Sequence, residues 1–231
     1  MELKILSWNI WVDGFLKKWK DFLQTADADI IGLQEVKDDD PERNIIDVLA
    51  ELGYKHTFAR TEQMRNGKTY KHGPAIFSKF PIIHSEKIQL DQGDDERAAA
   101  YAKIDVSGTI LHVFSTHLIH THQQPSEKQE AQTKKLIEKL PTNHVIVMGD
   151  FNATPVSAAI QAMKEVLVDT DPSLLPTWSV YPEGCIKCNP HAIDTKLDYI
   201  FISKDQKINS FAVGKSDASD HLPISVRVEV Q

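Results

Sequence analysis

Val145-Ile146-Val147-Met148-Gly149-Asp150-Phe151-Asn152 decides how this chain is read. The apolar run from Val145 to Met148 predicts a strand. It ends in a carboxylate and an amide that share a local alternation, so Asp150 and Asn152 point one way while Phe151 points into the core. The same design recurs along the chain. Ser7-Trp8-Asn9, Leu33-Gln34-Glu35 and Ser115-Thr116-His117-Leu118 each place an amide, carboxylate or imidazole at the end of an apolar run, and Ser219-Asp220-His221-Leu222-Pro223 completes the set. Apolar runs that finish in polar residues are how a sheet core delivers reactive groups to one edge.

Working outward, residues 3–10 predict an opening strand, 15–25 a helix, and 29–35 a second, largely buried strand. A helix is expected over 41–52, with Pro41 in its first turn and Ile45, Val48, Leu49 and Leu52 at helical spacing. Strands follow at 75–78 and 98–106, and Ser107-Gly108 is a two-residue turn signal leading into a strand over 109–117. Residues 126–140 predict a helix ended by Pro141, and 157–166 another. Residues 197–203 and 224–230 predict strands, the last alternating Ile224, Val226, Val228 and Val230 with polar residues. Many strands and a few long helices suit two packed sheets covered outside by helices.

At 231 residues the chain fits one domain, 1–231, and no Pro/Gly/Ser-rich linker or repeat divides it. The N-terminus lacks a basic region followed by a continuous apolar one, and no apolar run approaches the roughly 20 residues of a membrane span. A soluble, cytoplasmic protein without a transmembrane segment is expected; oligomeric state is not written in the sequence. A net charge of −7 argues weakly against gripping long nucleic acid by charge alone, since several of the acids sit at candidate metal positions. The two cysteines, Cys185 and Cys188, are expected as reduced loop thiols, with a labile disulfide or a metal-assisted loop as alternatives. His120 and His122 are expected at the rim or in solvent, because no Asp and His follow to complete a metal-binding run.

Together with Leu197-Asp198-Tyr199-Ile200-Phe201, these motifs, taken in order from Ser7 to Pro223, resemble the endonuclease/exonuclease/phosphatase superfamily. Its members include DNase-I-like nucleases, deadenylases, apurinic endonucleases, tyrosyl-DNA phosphodiesterases, sphingomyelinases and inositol polyphosphate 5-phosphatases. The resemblance implies an α+β fold, a four-layer αββα sandwich of two mainly antiparallel sheets flanked by helices. It also implies a divalent-metal-dependent phosphoester hydrolase using Mg²⁺ or Mn²⁺. Glu35 is matched to the principal metal ligand, with Asn9 and Asp220 beside it. A strand-end Asn is usually a turn former, and its place in the motif set is what gives Asn9 a site role, its carbonyl toward metal or its N–H toward a phosphate oxygen. Asp150 and Asn152 match the groups that place the attacking water, and which group takes the proton is left open. His117 matches a group that stabilises the phosphate or protonates the leaving oxygen. Asp198 matches the residue that orients His221 and supports its charged form. The Thr-His-Leu motif is less like the apurinic endonucleases.

Substrate choice is sought in three places. Residues 60–72 carry Arg60, Arg65, Lys68 and Lys71 against the single acid Glu62, with an Asn66-Gly67 turn, and suit either a phosphate backbone or plain solvation. Trp178 suits stacking on a base or packing under the site. Arg97 suits a phosphate, or pairing with Asp94 or Glu96. Cleavage of phosphodiesters in DNA or RNA leads, ahead of a phospholipid, sphingomyelinase-like or small-phosphodiester hydrolase and of a non-catalytic binding protein.

Overall fold

The computed structural model describes residues 1–231 other than Phe15, Asn66, Asp94, 182–184, Ile186 and Gln231, and does not describe the Arg65 side chain. The expected helix start at Phe15, the Asn66 turn signal, Asp94 as a partner of Arg97 and the Arg65 side chain therefore lie outside the described residues. In chain order the elements are Glu2–Asn9 (β1), Leu16–Ala26 (α1), Ile30–Val36 (β2), Ile45–Glu51 (α2), Lys55–Phe58 (β3), Thr61–Arg65 (β4), Lys68–Ser78 (β5), Ile82–Asp91 (β6), Arg97–Val106 (β7), Thr109–His117 (β8), Glu127–Ile137 (α3), Val145–Asp150 (β9), Ala158–Val166 (α4), Val168–Asp169 (β10), Asp198–Ile202 (β11), Lys207–Val213 (β12) and Ile224–Glu229 (β13).

One sheet runs β12-β13-β1-β2-β5-β3, with β4 paired to β5; the other runs β10-β11-β9-β8-β7-β6. Among the described residues each has one parallel pair, β1 with β2 and β8 with β9, and each pair is joined through a helix, α1 or α3. A parallel pair requires such a crossover, and it brings both strand C-termini to one edge. The remaining pairings are antiparallel.

Three apolar clusters fill the spaces between four layers. Leu3, Ile5, Ile30 and Ile76 of one sheet face Ala100, Ile104, Val113, Ile146 and Ile200 of the other. Trp19 and Leu23 of α1, with Ile45 and Leu49 of α2, cover the outer face formed by Leu6, Trp8, Ile31 and Phe77. Leu136 of α3 and Ile160 and Met163 of α4 cover Phe114, Val147, Tyr199 and Phe201. The result is the α+β, αββα sandwich, its sheets mixed rather than wholly antiparallel. Gly32 marks a close approach of the sheets, since a Cβ there would lie 2.7 Å from the Met148 sulfur.

Local chemistry sets the boundaries. Ser126 and Ser157 cap α3 and α4, each accepting from the N–H three residues on. The helix expected from Pro41 is shorter and starts at Ile45, because the Asn44 side chain accepts from Ile46 N–H and fixes the start there. Ser107 and Gly108 take φ of 54° and 94°, the tight hairpin that joins β7 to β8. Strands β6 and β12, absent from the sequence expectations, are largely exposed edge strands without a clean apolar alternation. Among the described residues no helix is long and apolar enough to cross a membrane.

Candidate active site

The parallel pairs send Asn9, Glu35, His117 and Asp150 to one edge of the sandwich. Register aligns Asn9 with Gln34 and His117 with Asp150. Asp150 is also opposite Asp198, the first residue of antiparallel β11. The Ser219-Asp220-His221 segment enters β13 from the same edge, tied down by Ser219 Oγ–H to Asn9 O at 2.6 Å and Trp8 Nε1–H to His221 O at 2.9 Å. A cleft of ≈ 590 Å³ opens over these groups.

Backbone irregularity aims the side chains. The β2–β5 register shifts between Leu33 and Val36, and Glu35 takes φ of 61°, so a bulge turns its carboxylate out of the strand. Gly149 has φ of 150° and lies against the Thr116 carbonyl, where a Cβ would clash, which explains the glycine before Asp150. Asn152 has φ of 50° and lies beyond the end of β9, so simple strand alternation is not what orients it. Its N–H donates to Asp150 Oδ1 at 2.8 Å, its Nδ2 to Leu118 O at 3.0 Å, and its Oδ1 faces His120 Nδ1 at 2.8 Å. Phe151 is buried against Tyr199 and Phe201. Such left-handed, non-glycine positions cost about 1–3 kcal/mol each and persist where surrounding contacts fix them.

Asp150 Oδ2 lies 3.0 Å from Asn9 Nδ2, 3.5 Å from His117 Nε2 and 3.6 Å from His221 Nε2. His221 Nδ1 is 2.8 Å from Asp198 Oδ2, which also accepts from Thr177 Oγ1–H at 2.6 Å. Glu35 accepts from Val12 N–H at 2.7 Å and from Asn9 Nδ2–H at 3.3 Å, while His117 Nε2 stands 4.0 Å away. Asn9 thus turns its amide nitrogen to the carboxylates, its oxygen being held by Trp11 N–H at 2.9 Å.

Burial, opposed by the charge of His221 and reinforced by that of Asp198, pushes the Asp150 carboxyl up to about 7. Burial raises Asp220 as well, the nearby charge of Glu35 adding to it against that of His221. For His221 burial works downward, but the carboxylates of Asp198, Asp150 and Asp220 outweigh it and hold the imidazole well above its usual range. Glu35 is below the usual carboxylate range: burial opposes ionisation, and the charge of His72, the Val12 N–H and the Asn9 amide favour it. Asp150 and Asp220, whose protons are hard to lose, are buried where positive charge would favour their ionised forms, and carboxylate oxygens such as these and those of Glu35 suit a hard divalent cation.

The expected substrate residues lie differently. Arg97 is buried and lines the cleft, donating to Leu118 O at 3.2 Å and pairing with Asp95 at 2.9 Å, not with Glu96, which Lys87 takes at 2.7 Å. Trp178 is 4% exposed, packs beside His221 and donates Nε1–H to Asp220 Oδ2 at 3.2 Å, leaving little ring face for a base. In the expected basic hairpin, Arg60 pairs with Asp38 and Asp39 at 3.1 Å each and Lys71 with Glu62 at 3.8 Å; Lys68 is exposed. Its base reaches the site, since Thr61, Gln63 and His72 border His117.

Sequence reasoning gave no role in the site to His72, His120, His122 or the two cysteines. His72 sits behind His117, ring centres 6.4 Å apart. His120, expected at the rim, is held by Asn152 and lines the cleft with His122 and Cys185. Burial, partly offset by the Asn152 hydrogen bond, lowers its imidazole below the usual range. Cys185 and Cys188, expected as reduced thiols, are joined as a disulfide, the alternative the sequence left open.

Curated proteins similar at the sequence level include the following three. Inositol phosphosphingolipids phospholipase C of Schizosaccharomyces pombe is 28% identical over 214 residues, covering 79% of this chain and 47% of that protein. Phospholipase C of Staphylococcus aureus is 29% identical over 196 residues, 66% of this chain and 58% of its own. The uncharacterized YbhP of Escherichia coli is 28% identical over 152 residues, 59% and 58%. The chain thus spans about half of the length of these relatives. Among solved structures, an endonuclease/exonuclease/phosphatase from Beutenbergia cavernae superposes with TM-score 0.82 at 20% identity, covering 99% of this chain and 72% of the other. D. rerio TDP2 with a single-strand DNA product gives 0.72 at 19%, covering 99% of each. At these identities the structural likeness is one of fold. The family match rests on sequence: the model of the endonuclease/exonuclease/phosphatase family matches residues 6–221, and the chain belongs to that family.

Proposed function

We propose that residues 1–231 form a single catalytic domain that hydrolyses phosphodiesters with Mg²⁺ or Mn²⁺, by in-line attack of water. The observation that carries this reading is the convergence of Glu35, Asp150 and Asp220 with the imidazoles of His117 and His221 on one cleft. Glu35 and Asp220 are the residues to hold the cation. Asn9 can join them through the second lone pair of its oxygen, the first being taken by Trp11 N–H. Bound there, the cation supplies charge neutralisation for the phosphate and the leaving oxygen.

The chain's own groups divide the remaining work. Asp150 Oδ1 is fixed by Asn152 N–H, and Oδ2, which accepts from Asn9 Nδ2–H, has a second lone pair to take the proton of the attacking water. Asp198 holds His221 through Nδ1, so that Nε2–H faces a phosphate oxygen as negative charge grows there. His117 offers Nε2–H to the leaving oxygen from its place between Glu35 and Asp150.

Nucleic acid remains the leading substrate, supported by Lys68 and Lys71 on the hairpin that borders His117. A second reading, a phospholipid head group or small phosphodiester, is supported by the named phospholipase relatives and by the carboxylates that already pair Arg60 and Lys71. The test is a panel of single- and double-stranded DNA, RNA, 5′-tyrosyl DNA, sphingomyelin, inositol phosphates and bis-p-nitrophenyl phosphate, each with Mg²⁺, Mn²⁺ or EDTA. Metal-dependent turnover of an oligonucleotide is the expected result. Turnover confined to lipids or small phosphodiesters removes the nucleic-acid reading, and turnover of nothing, or equal turnover in EDTA, removes the whole proposal.

A further inference from the structure

A second donor cluster lies on the lip of the cleft. His120 and His122 follow β8, and Cys185 and Cys188 lie 63 to 68 residues further on, in the segment that precedes β11. One ligating atom from each falls within 4.8 Å of the other three. His120 Nε2 is 3.0 Å from His122 Nδ1, and the four nitrogen–sulfur distances run from 3.4 to 3.6 Å. A tetrahedral shell with Zn–N of about 2.0–2.1 Å and Zn–S of about 2.3 Å sets nitrogens roughly 3.3 Å apart and nitrogen from sulfur roughly 3.6 Å apart. Five of the six edges therefore stand near tetrahedral spacing. The sixth joins the two sulfurs, which are bonded as a disulfide.

Disulfide sulfurs are uncharged, weak acceptors and give little reason for two imidazole nitrogens to converge on both at once. A shared cation does. The second contacts agree with it. Asn152 Nδ2 donates to Leu118 O, which fixes Oδ1 toward His120 Nδ1 at 2.8 Å. Nδ1 therefore carries the hydrogen and Nε2 presents its lone pair to the cluster, the arrangement that an outer carbonyl imposes on a metal-binding histidine. Cys188 N–H points at Cys185 Sγ at 3.2 Å, a donor that would favour the thiolate. Consecutive left-handed residues, His122 at φ 52° and Gln123 at φ 58°, fold the segment so that the two imidazoles meet edge to face at 4.6 Å.

We propose that the reduced chain binds one Zn²⁺ through His120 Nε2, His122 Nδ1, Cys185 Sγ and Cys188 Sγ. Two imidazoles and two thiolates select Zn²⁺ over the hard cations that suit the carboxylates of the cleft floor. Four protein ligands close the shell, so the ion's role is to fasten the Cys185–Cys188 segment to the segment after β8 and, through His120, to hold the Asn152 amide. Opening the disulfide takes two electrons, given in the test by a phosphine that ends as its oxide, and two protons from water. Ligation returns both protons to solvent.

The test uses the full chain, purified with a phosphine reductant after growth with zinc, and reads metal content by mass spectrometry and the coordination shell by X-ray absorption. One Zn²⁺ per chain with two sulfur and two nitrogen neighbours is the expected result. Cys185→Ser/Cys188→Ser and His122→Ala, shown folded by circular dichroism, should fall from one equivalent to background, and Co²⁺-loaded wild type should show a thiolate charge-transfer band that the double variant lacks. Glu35→Gln should keep its zinc, which separates this site from the oxygen site on the cleft floor. A reduced wild type without zinc, a shell without sulfur, or zinc retained by the double cysteine variant would overturn the proposal.

Discussion

Replacing Asp198 by Asn keeps an oxygen beside His221 Nδ1 and removes the charge. The carboxylate oxygen lies 2.8 Å from Nδ1 and both side chains are buried, so water screens the pair little. Charge centres about 4.5 Å apart attract by roughly 4 kcal/mol at an effective dielectric constant of about 20. The charges of Asp150 and Asp220 still favour the imidazolium in the variant, so not all of this is lost. A loss of about 3 kcal/mol remains, roughly 10²-fold in kcat. The assay is steady-state hydrolysis of bis-p-nitrophenyl phosphate with saturating Mg²⁺, and KM should stay within about threefold because the interaction strengthens in the transition state. His221→Ala should cost at least as much. The double variant should be no slower than His221→Ala alone, since Asp198 acts through the imidazole. Thr177→Val removes the other donor to the same oxygen and should cost far less. Near-wild-type turnover in Asp198→Asn, or losses that multiply in the double variant, would refute this account of the pair.

EDTA should abolish hydrolysis and Mg²⁺ restore it, while Glu35→Gln should weaken Mg²⁺ affinity, measured by titration of activity, with an unchanged circular dichroism spectrum. Gly149→Ala should lose about 4 kcal/mol, because φ is 150° and the new Cβ meets a backbone carbonyl in the centre of a sheet. That corresponds to a thermal midpoint lower by about 8–16 °C, and a midpoint within about 2 °C of wild type would contradict it. Arg65→Ala/Lys68→Ala/Lys71→Ala should weaken oligonucleotide binding and flatten its salt dependence while leaving cleavage of the chromogenic diester unchanged. Unaltered affinity and salt slope would make the hairpin a solvated surface feature.

The central strands were legible because they are buried on both sides. Residues 145–150 are buried without exception, and a short run rich in β-branched Val and Ile that stops at a glycine is the pattern of such a strand. Edge strands carry no such signal: in β6 the stretch His84 to Lys87 is exposed, and its place is fixed by pairing with β7 rather than by its own pattern. The start of α2 failed for a different reason. Pro41 is permitted in a first helical turn but does not compel one, whereas the Asn44 side chain supplies an acceptor at a definite N–H, and that contact is invisible until the chain is folded.

Strand ends carried the site motifs, but the contacts between them depend on topology. Asp150, His117 and Asp198 stand in register because β9 lies between β8, parallel to it, and β11, antiparallel to it. The same arrangement has a consequence for the cysteines. Whatever follows His117 and whatever precedes Asp198 leaves the sheet from one edge, which lets the His120–His122 and Cys185–Cys188 segments meet. Taken singly, Cys-Ile-Lys-Cys is half a zinc site and His-Thr-His is half of another. A four-layer order with β8, β9 and β11 adjacent adds the two halves, and that order follows from the motifs that carried the family resemblance. The signal for the cluster was therefore present in the sequence, but only as two fragments and a topology, and no scan along the chain joins fragments 63 residues apart.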